Sequence, residues 1–302
     1  MAKVLISGGT GSIGNLMADF LHRQGHEVGL LSRSRQNGGT FKTYQWNIKE
    51  NYLDPEALES CDYIIHLAGA GIADKAWTAG RKKENIESRV LSTDLLYTQV
   101  KKHKTPLKAF ISASAVGYYG QVTSDKIFTE KDKSANDFVG KTCFLWEQSA
   151  ERFEELGIRT LRLRIGVVLM EKGGALEKMA QPIRMGVGSP LGSGKQYIPW
   201  IHVDDLIGMF YKALSSEDMS GAYNAVAPEP ASNAEFTQIL ARTLNKNLWL
   251  PNVPAFVLKA LLGDRASLVL KGSRVSSQKI ESTGFTFKYG SLEPALKNLL
   301  SG

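Results

Sequence analysis

The chain has 302 residues, 43% of them hydrophobic and 22% charged, which is the usage of an ordinary globular protein and excludes disordered, collagen-like and disulfide-scaffold classes. Lysine and arginine number 37 against 30 aspartates and glutamates, a formal charge of +7 that suits a phosphate-bearing ligand but is too diffuse to argue for nucleic acid. Cys61 and Cys143 form no CxxC pair, so a reducing, cytoplasmic location is expected.

Along the chain, short apolar runs alternate with helix-period segments. Val4-Leu5-Ile6 predicts a buried strand that meets glycines too soon to be a secretory signal. Ile13, Leu16, Met17 and Phe20 then lie on one helical face, which Gly25 ends. Further strands are expected at Val28 to Leu31, Tyr63 to Leu67, Ala109 to Ala113 and Thr160 to Leu163, with helices around Glu84 to Lys102 and Lys141 to Leu156. This alternation implies an α/β Rossmann fold, a doubly wound and mostly parallel sheet. After Arg164, Gly173-Gly174 and Gly186 to Gly194 read as long loops. Leu206, Phe210, Ala213 and Leu214 mark a helix, and Tyr223 to Val226 a strand. The tail from Asn233 reads as mostly helical, closing with Leu292, Leu296, Leu299 and Leu300. The expected division is a nucleotide-binding domain over 1–170, to which 200–228 returns, and a smaller cap of 171–199 and 229–302. Leu248 to Leu262 is the greasiest stretch, but Pro251, Pro254 and Lys259 interrupt it short of the ~20 apolar residues a span needs. No membrane partner is expected.

Gly8-Gly9-Thr10-Gly11-Ser12-Ile13-Gly14 sits between the first strand and the first helix. Glycines at 8, 11 and 14 allow a tight turn, close approach of a pyrophosphate, and helix–sheet packing, with helix N–H groups facing the phosphates. The strand–loop–helix context makes this a dinucleotide site rather than a glycine-rich turn. A site for NAD usually carries an acid about 20 residues on. Here no acid occurs between Glu27 and Glu50, and Ser32-Arg33-Ser34-Arg35 stands in its place. Arg33 beside Ser32 matches a 2′-phosphate, so NADP(H) is the expected cofactor. Gly188 to Lys195 has the wrong spacing for a P-loop, and no GxSxG elbow occurs.

With these pieces the chain resembles the extended, epimerase-like branch of the short-chain dehydrogenase/reductases, and more closely the atypical YfcH-type epimerase family. The resemblance runs nearly end to end. It rests on the glycine loop, His66-Leu67-Ala68-Gly69, Ile72 to Trp77, Ser88-Arg89, Ser112 to Gly120, Trp146-Glu147, Arg164 to Leu169, Gly192-Ser193-Gly194, Pro199 to Leu206 and Asn233 to Phe236. It implies cofactor contacts from Leu67, Ala68 and Gly69, from Glu84 and Arg89 on the next helix, and from Val168.

The superfamily's reductase chemistry uses a Ser, and a Tyr whose pKa a Lys four residues on depresses. Ser114 fits the serine. The Tyr and Lys are expected near Val139 and Cys143, where neither residue can serve, and the one YxxxK match, Tyr97–Lys101, precedes the serine strand. Tyr118 or Tyr119 could supply a phenol from another side; Ser114 and Tyr118 are the candidate catalytic pair. His202 before Asp204-Asp205 reads as structural, while Lys195 and Arg184 are candidates to face an anionic substrate. Two readings stay open: an NADP(H)-dependent oxidoreductase or epimerase-like enzyme acting on an unidentified small molecule, or a non-catalytic NADP(H)-binding sensor or interaction protein. A homodimer is left open.

Overall fold

In a computed structural model, residues 1–34 and 39–300 are described, and the apolar runs form the strands they predict. The first half contributes β1 (Lys3–Ser7), β2 (Glu27–Ser32), β3 (Lys42–Asn47), β4 (Tyr52–Leu53), β5 (Tyr63–His66) and β6 (Ala109–Ala115). After a short β7 (Ile127–Phe128) come β8 (Arg159–Ile165), β9 (Val167–Leu169), β10 (Tyr197–Ile198), β11 (Trp200–His202) and β12 (Gly221–Ala225). The main sheet runs in the order β12-β8-β6-β5-β1-β2-β3-β4. All its pairings are parallel except β3 with β4. Its central strands are buried on both faces, which is why they read as continuous apolar runs rather than alternating ones.

Helices cover both faces. α1 (Ser12–Arg23) lies on one, and α2 (Ala79–His103) and α3 (Phe138–Glu151) pack together on the other. Gly25, at φ +82°, ends α1 as expected. Beyond β9, α4 (Gly174–Arg184) follows Gly173 directly, so the glycine pair read as part of a long loop instead launches a helix. α5 (Val203–Ser215) returns to the sheet beside α1, and β12 joins the sheet next to β8.

The C-terminal part holds β13 (Ala231–Ser232), α6 (Asn233–Thr243), α7 (Ala255–Leu262), α8 (Ser267–Leu270), β14 (Arg274–Val275), α9 (Gln278–Glu281) and α10 (Leu292–Leu300). Ser232 and Glu235 form a reciprocal capping box at α6, an arrangement that satisfies two otherwise free N–H groups. Leu292, Leu296 and Leu299 of α10 are buried with Phe236, Leu240 and Trp200 in a separate core. At about 1.5–3 kcal/mol per buried leucine, that face holds the C-terminal helix in place.

Strand β3 was not anticipated. Its sequence alternates, burying Tyr44 and Trp46 between more exposed neighbours. No helix of the described residues is long and apolar enough to cross a membrane.

Candidate nucleotide-binding site

From β1 the chain progresses to β2 and β3 on one side, and from β5 to β6, β8 and β12 on the other. The carboxyl ends of β1 and β5 therefore flank a switch point, where open α/β sheets bind ligands. Gly8, Gly11 and Gly14 of the first loop do different jobs there. Gly8 has φ +71°, and a Cβ on it would stand 3.0 Å from Ala68 N and Leu67 C. A Cβ on Gly14 would lie 2.3 Å from Gly8 O, so that glycine is required by packing alone. Gly11 is different. Its φ of −81° suits any residue, and an added Cβ would meet only Gly8 O, at 3.3 Å. Apart from that one close approach, a side chain here would project into the open space in front of the loop.

Gly11 is also the N-cap of α1, with no side chain capping the helix and no acid in its first turn. The first N–H groups of the helix lack intrahelical partners and carry the positive end of its dipole. Thr10, Gly11 and Ser12 are exposed at this end, and Ile13, Leu67 and Val168 are half-buried against one apolar core. At the end of β2, Ser32 is buried and its Oγ accepts from Ser34 N at 3.4 Å, while Arg33 is exposed. Arg35 lies outside the described residues. The cradle fits a dinucleotide: an uncapped helix N-terminus, a glycine open to solvent, and an exposed guanidinium where a ribose-binding acid would stand.

Beneath the crevice, His66 ties β5 to β1 and α2. Its Nδ1 lies 2.6 Å from Ser7 Oγ, and its Nε2 lies 3.2 Å from Ser92 Oγ and 3.1 Å from Thr93 Oγ1. Both α2 hydroxyls spend their protons on backbone carbonyls of Ser88 and Arg89. They must therefore accept from Nε2–H, which leaves Nδ1 to accept from Ser7. Burial, helped by the nearby Arg89 charge, pushes the His66 pKa down to about 3. This histidine is neutral and structural.

Along α2, Arg89 stands against the loop that follows β5: a Cβ on Gly69 would come 3.0 Å from its Cζ. Its guanidinium lies over the Trp146 ring at 5.0 Å and donates to Asn85 O at 2.9 Å. It has no carboxylate partner among the described residues. Burial, and secondarily the charge of Arg81, lowers its pKa. Glu84 is exposed and paired with Arg81 at 2.7 Å. Between them Asn85 is fully buried and, among the described residues, neither of its amide atoms has a partner and buried Trp146 Nε1 has no acceptor. Only the four-residue spacing from Arg81 to Asn85 to Arg89 could have pointed to Asn85 in the sequence.

Ser114 belongs to a buried network that Tyr118 borders through Arg164. Ser114 Oγ donates to Glu147 Oε1 at 2.7 Å, and Arg164 grips the same carboxylate through Nε and Nη2 at 2.8 and 2.9 Å. Arg164 Nη1 reaches Tyr119 OH at 2.9 Å, which donates to Asn224 Oδ1 at 2.6 Å. Tyr118 is half-buried, its ring centroid 3.5 Å from Arg164 Cζ. Burial alone would lower the Arg164 pKa, but hydrogen bonding and the charge of Glu147 outweigh it and raise it. Burial lifts the Tyr119 hydroxyl to about 12 despite Arg164.

Val139 and Cys143, at the places expected of the missing Tyr and Lys, are buried. Both pack against the turn after β6, where a Cβ on Gly117 would strike Val139 Cγ1 at 2.4 Å. Burial raises the Cys143 thiol to about 12, so it is an inert wall. Tyr97–Lys101 sits in the last turns of α2, where Tyr97 OH binds Glu155 at 3.0 Å. His202 caps α5, accepting from Asp204 N at 3.1 Å. Lys195 lines an open cavity of about 550 Å³ with Tyr197, Asp125 and Glu235, whereas Arg184 lines a smaller one beside Glu171 and Glu177, so the two cations do not converge.

A doubly wound sheet, a glycine loop at its switch point and a serine strand beside it define an epimerase-like nucleotide-binding protein. Residues 4–226 match the NAD dependent epimerase/dehydratase family, to which the chain belongs, and 253–299 match a domain of unknown function (DUF1731). The chain is 38% identical to the epimerase family protein YfhF of Bacillus subtilis, over 99% of this chain and 98% of that one. The crystal structure of the human epimerase family protein SDR39U1 (isoform 2) with NADPH superposes with a TM-score of 0.87 at 33% identity, covering 99% of each chain. At 19% identity, the UDP-glucose 4-epimerase of Thermotoga maritima shares the fold, with a TM-score of 0.78 over 99% of this chain and 97% of that one.

Proposed function

We propose that the chain binds NADP(H) across the β1–β5 crevice and acts, in the cytoplasm, as an atypical short-chain dehydrogenase/reductase, an oxidoreductase or epimerase-like enzyme on a small molecule. The observation that carries this reading is Gly11, an exposed glycine with an ordinary φ whose added Cβ would approach only Gly8 O, beside an uncapped helix N-terminus. The NADPH in the crystal structure of human SDR39U1 supports the choice of cofactor. When bound, NADP(H) supplies hydride chemistry. The N–H groups of Ser12, Ile13 and Gly14 hold the pyrophosphate, Ser32 and Arg33 hold the 2′-phosphate, and Leu67, Ala68, Gly69, Glu84, Arg89 and Val168 line the rest.

Ser114 and Tyr118 are the proposed substrate contacts. Because Ser114 gives its proton to Glu147, it retains only lone pairs for a ligand and would accept from a substrate hydroxyl. Tyr118 is then the proton donor or acceptor of the pair, and without the superfamily's lysine turnover is expected to be slow. The filling of the Tyr and Lys places by Val139 and Cys143 favours a second reading, a non-catalytic NADP(H)-binding sensor. The test is NADPH oxidation across a carbonyl panel. The enzyme reading expects a rate above background that falls in Ser114→Ala and Tyr118→Phe. Tight NADPH binding without turnover, together with a partner whose affinity depends on NADPH, would select the sensor.

A further inference from the structure

Five apolar side chains stand out from the surface: Met185 at 69% exposure, Val187 at 50%, Trp249 at 71%, Phe256 at 73% and Leu261 at 73%. They come from two segments far apart in sequence that the fold stitches together. Trp249 Nε1 donates to Gly186 O at 2.8 Å, and Ser189 Oγ donates to Pro251 O at 2.6 Å. Val253 N donates to Pro190 O at 2.9 Å and Val253 O accepts from Gly192 N at 2.8 Å. Helix α7 follows at once. It buries only Leu258, and at 100° per residue Phe256, Ala260, Val257 and Leu261 sweep an apolar arc of about 140°. Such a concentration of exposed apolar side chains marks an interaction surface.

The charges of these segments have one sign. Residues 178–203 and 236–263 contain no Asp or Glu, and their charged residues are Lys178, Arg184, Lys195, Arg242, Lys246 and Lys259, all exposed. Lys246 and Lys259 flank the apolar side chains and make no ion pair among the described residues. A second copy docked through this face would set one basic rim against another. Aromatic and aliphatic side chains flanked by Lys246 and Lys259 instead match the boundary of an acidic bilayer, where apolar insertion and attraction to anionic headgroups act together. We propose that this face docks peripherally on an anionic lipid surface. Such a peripheral contact goes beyond the expectation of no membrane partner, which rested on the lack of a span.

Vesicle flotation of the full chain tests it, using phosphatidylcholine with one quarter phosphatidylglycerol against phosphatidylcholine alone. Wild type should float with the anionic vesicles, and weakly or not at all with the neutral ones. Trp249→Ser/Phe256→Ser should lose at least about tenfold in vesicle affinity. Lys246→Glu/Lys259→Glu should lose about 25-fold or more, at roughly fivefold per lysine near the surface. NADPH affinity and thermal melting serve as controls that both variants remain folded. Absence of flotation with anionic vesicles at low salt overturns the proposal, as does equal flotation of wild type and folded variants. So does a concentration-dependent dimer that the same substitutions dissociate, since the face would then join two copies.

Discussion

Glu147→Ala removes the carboxylate that both Arg164 and Ser114 use, and its cost can be worked from the network. The side chains of Glu147 and Arg164 are 5% and 4% exposed, and two short hydrogen bonds join them. Taking away one partner strands the other charge in the core, which costs about 3–5 kcal/mol, and the Ser114 hydrogen bond adds about 1 kcal/mol. A loss of about 4–6 kcal/mol is a large part of the 5–15 kcal/mol typical of a folded protein. Replacing both ends, Glu147→Met with Arg164→Met, leaves no orphan charge and should cost at least about 2 kcal/mol less than the sum of the single substitutions. Urea unfolding at pH 7.5 of wild type, Glu147→Met, Arg164→Met and the double variant gives the coupling directly. Additive losses, or a loss below about 1 kcal/mol in Glu147→Ala, would refute the claim that this pair locks β6, α3 and β8 together.

Buried neutral His66 should make the fold acid-sensitive. Its folded pKa of about 3 lies below the unfolded 6.5, so its contribution is complete above pH 6.5 and is lost as pH falls from there toward 3. At pH 5 about 2 kcal/mol should have gone. His66→Gln, less stable overall, should lose about that much less between pH 7.5 and 5 in urea titrations, and an unchanged pH slope would reject the assignment. The glycine loop gives a paired test. Gly11→Val should stay folded and lose NADPH by calorimetry, whereas Gly14→Ala, with a Cβ 2.3 Å from Gly8 O, should lose stability by about 1–3 kcal/mol. The opposite pattern would mean that the roles of the two glycines are exchanged.

Much of this fold was legible because its signals are local. Val4-Leu5-Ile6 followed by Gly8 and Gly11 records strand, turn and helix start within ten residues, and the buried central strands leave apolar runs that need no partner to be seen. Strand β3 lacks such a run: only Tyr44 and Trp46 face inward, and their burial depends on packing across the sheet. Helix α4 was hidden behind Gly173-Gly174, whose positive φ values (76° and 73°) turn the chain into the helix rather than prolong a loop. The site was legible where it consists of backbone. The Glu147–Arg164 pair was not, because its members stand on different elements and meet only when α3 packs on the sheet. Both residues lay in quoted motifs, yet nothing in the spelling of either paired them. The apolar face split between residues 185–187 and 249–261 was invisible for the same reason.

The central claim is a nucleotide site that reads a 2′-phosphate through Arg33. The most direct measurement is a calorimetric cycle of NADPH and NADH against wild type and Arg33→Ala at fixed salt. A charge-assisted contact contributes about 1.5–3 kcal/mol, so wild type should prefer NADPH by roughly 10- to 150-fold. Arg33→Ala should erase most of that preference while leaving NADH affinity within about twofold. Equal affinities in wild type, or a preference that survives the substitution unchanged, would contradict the account.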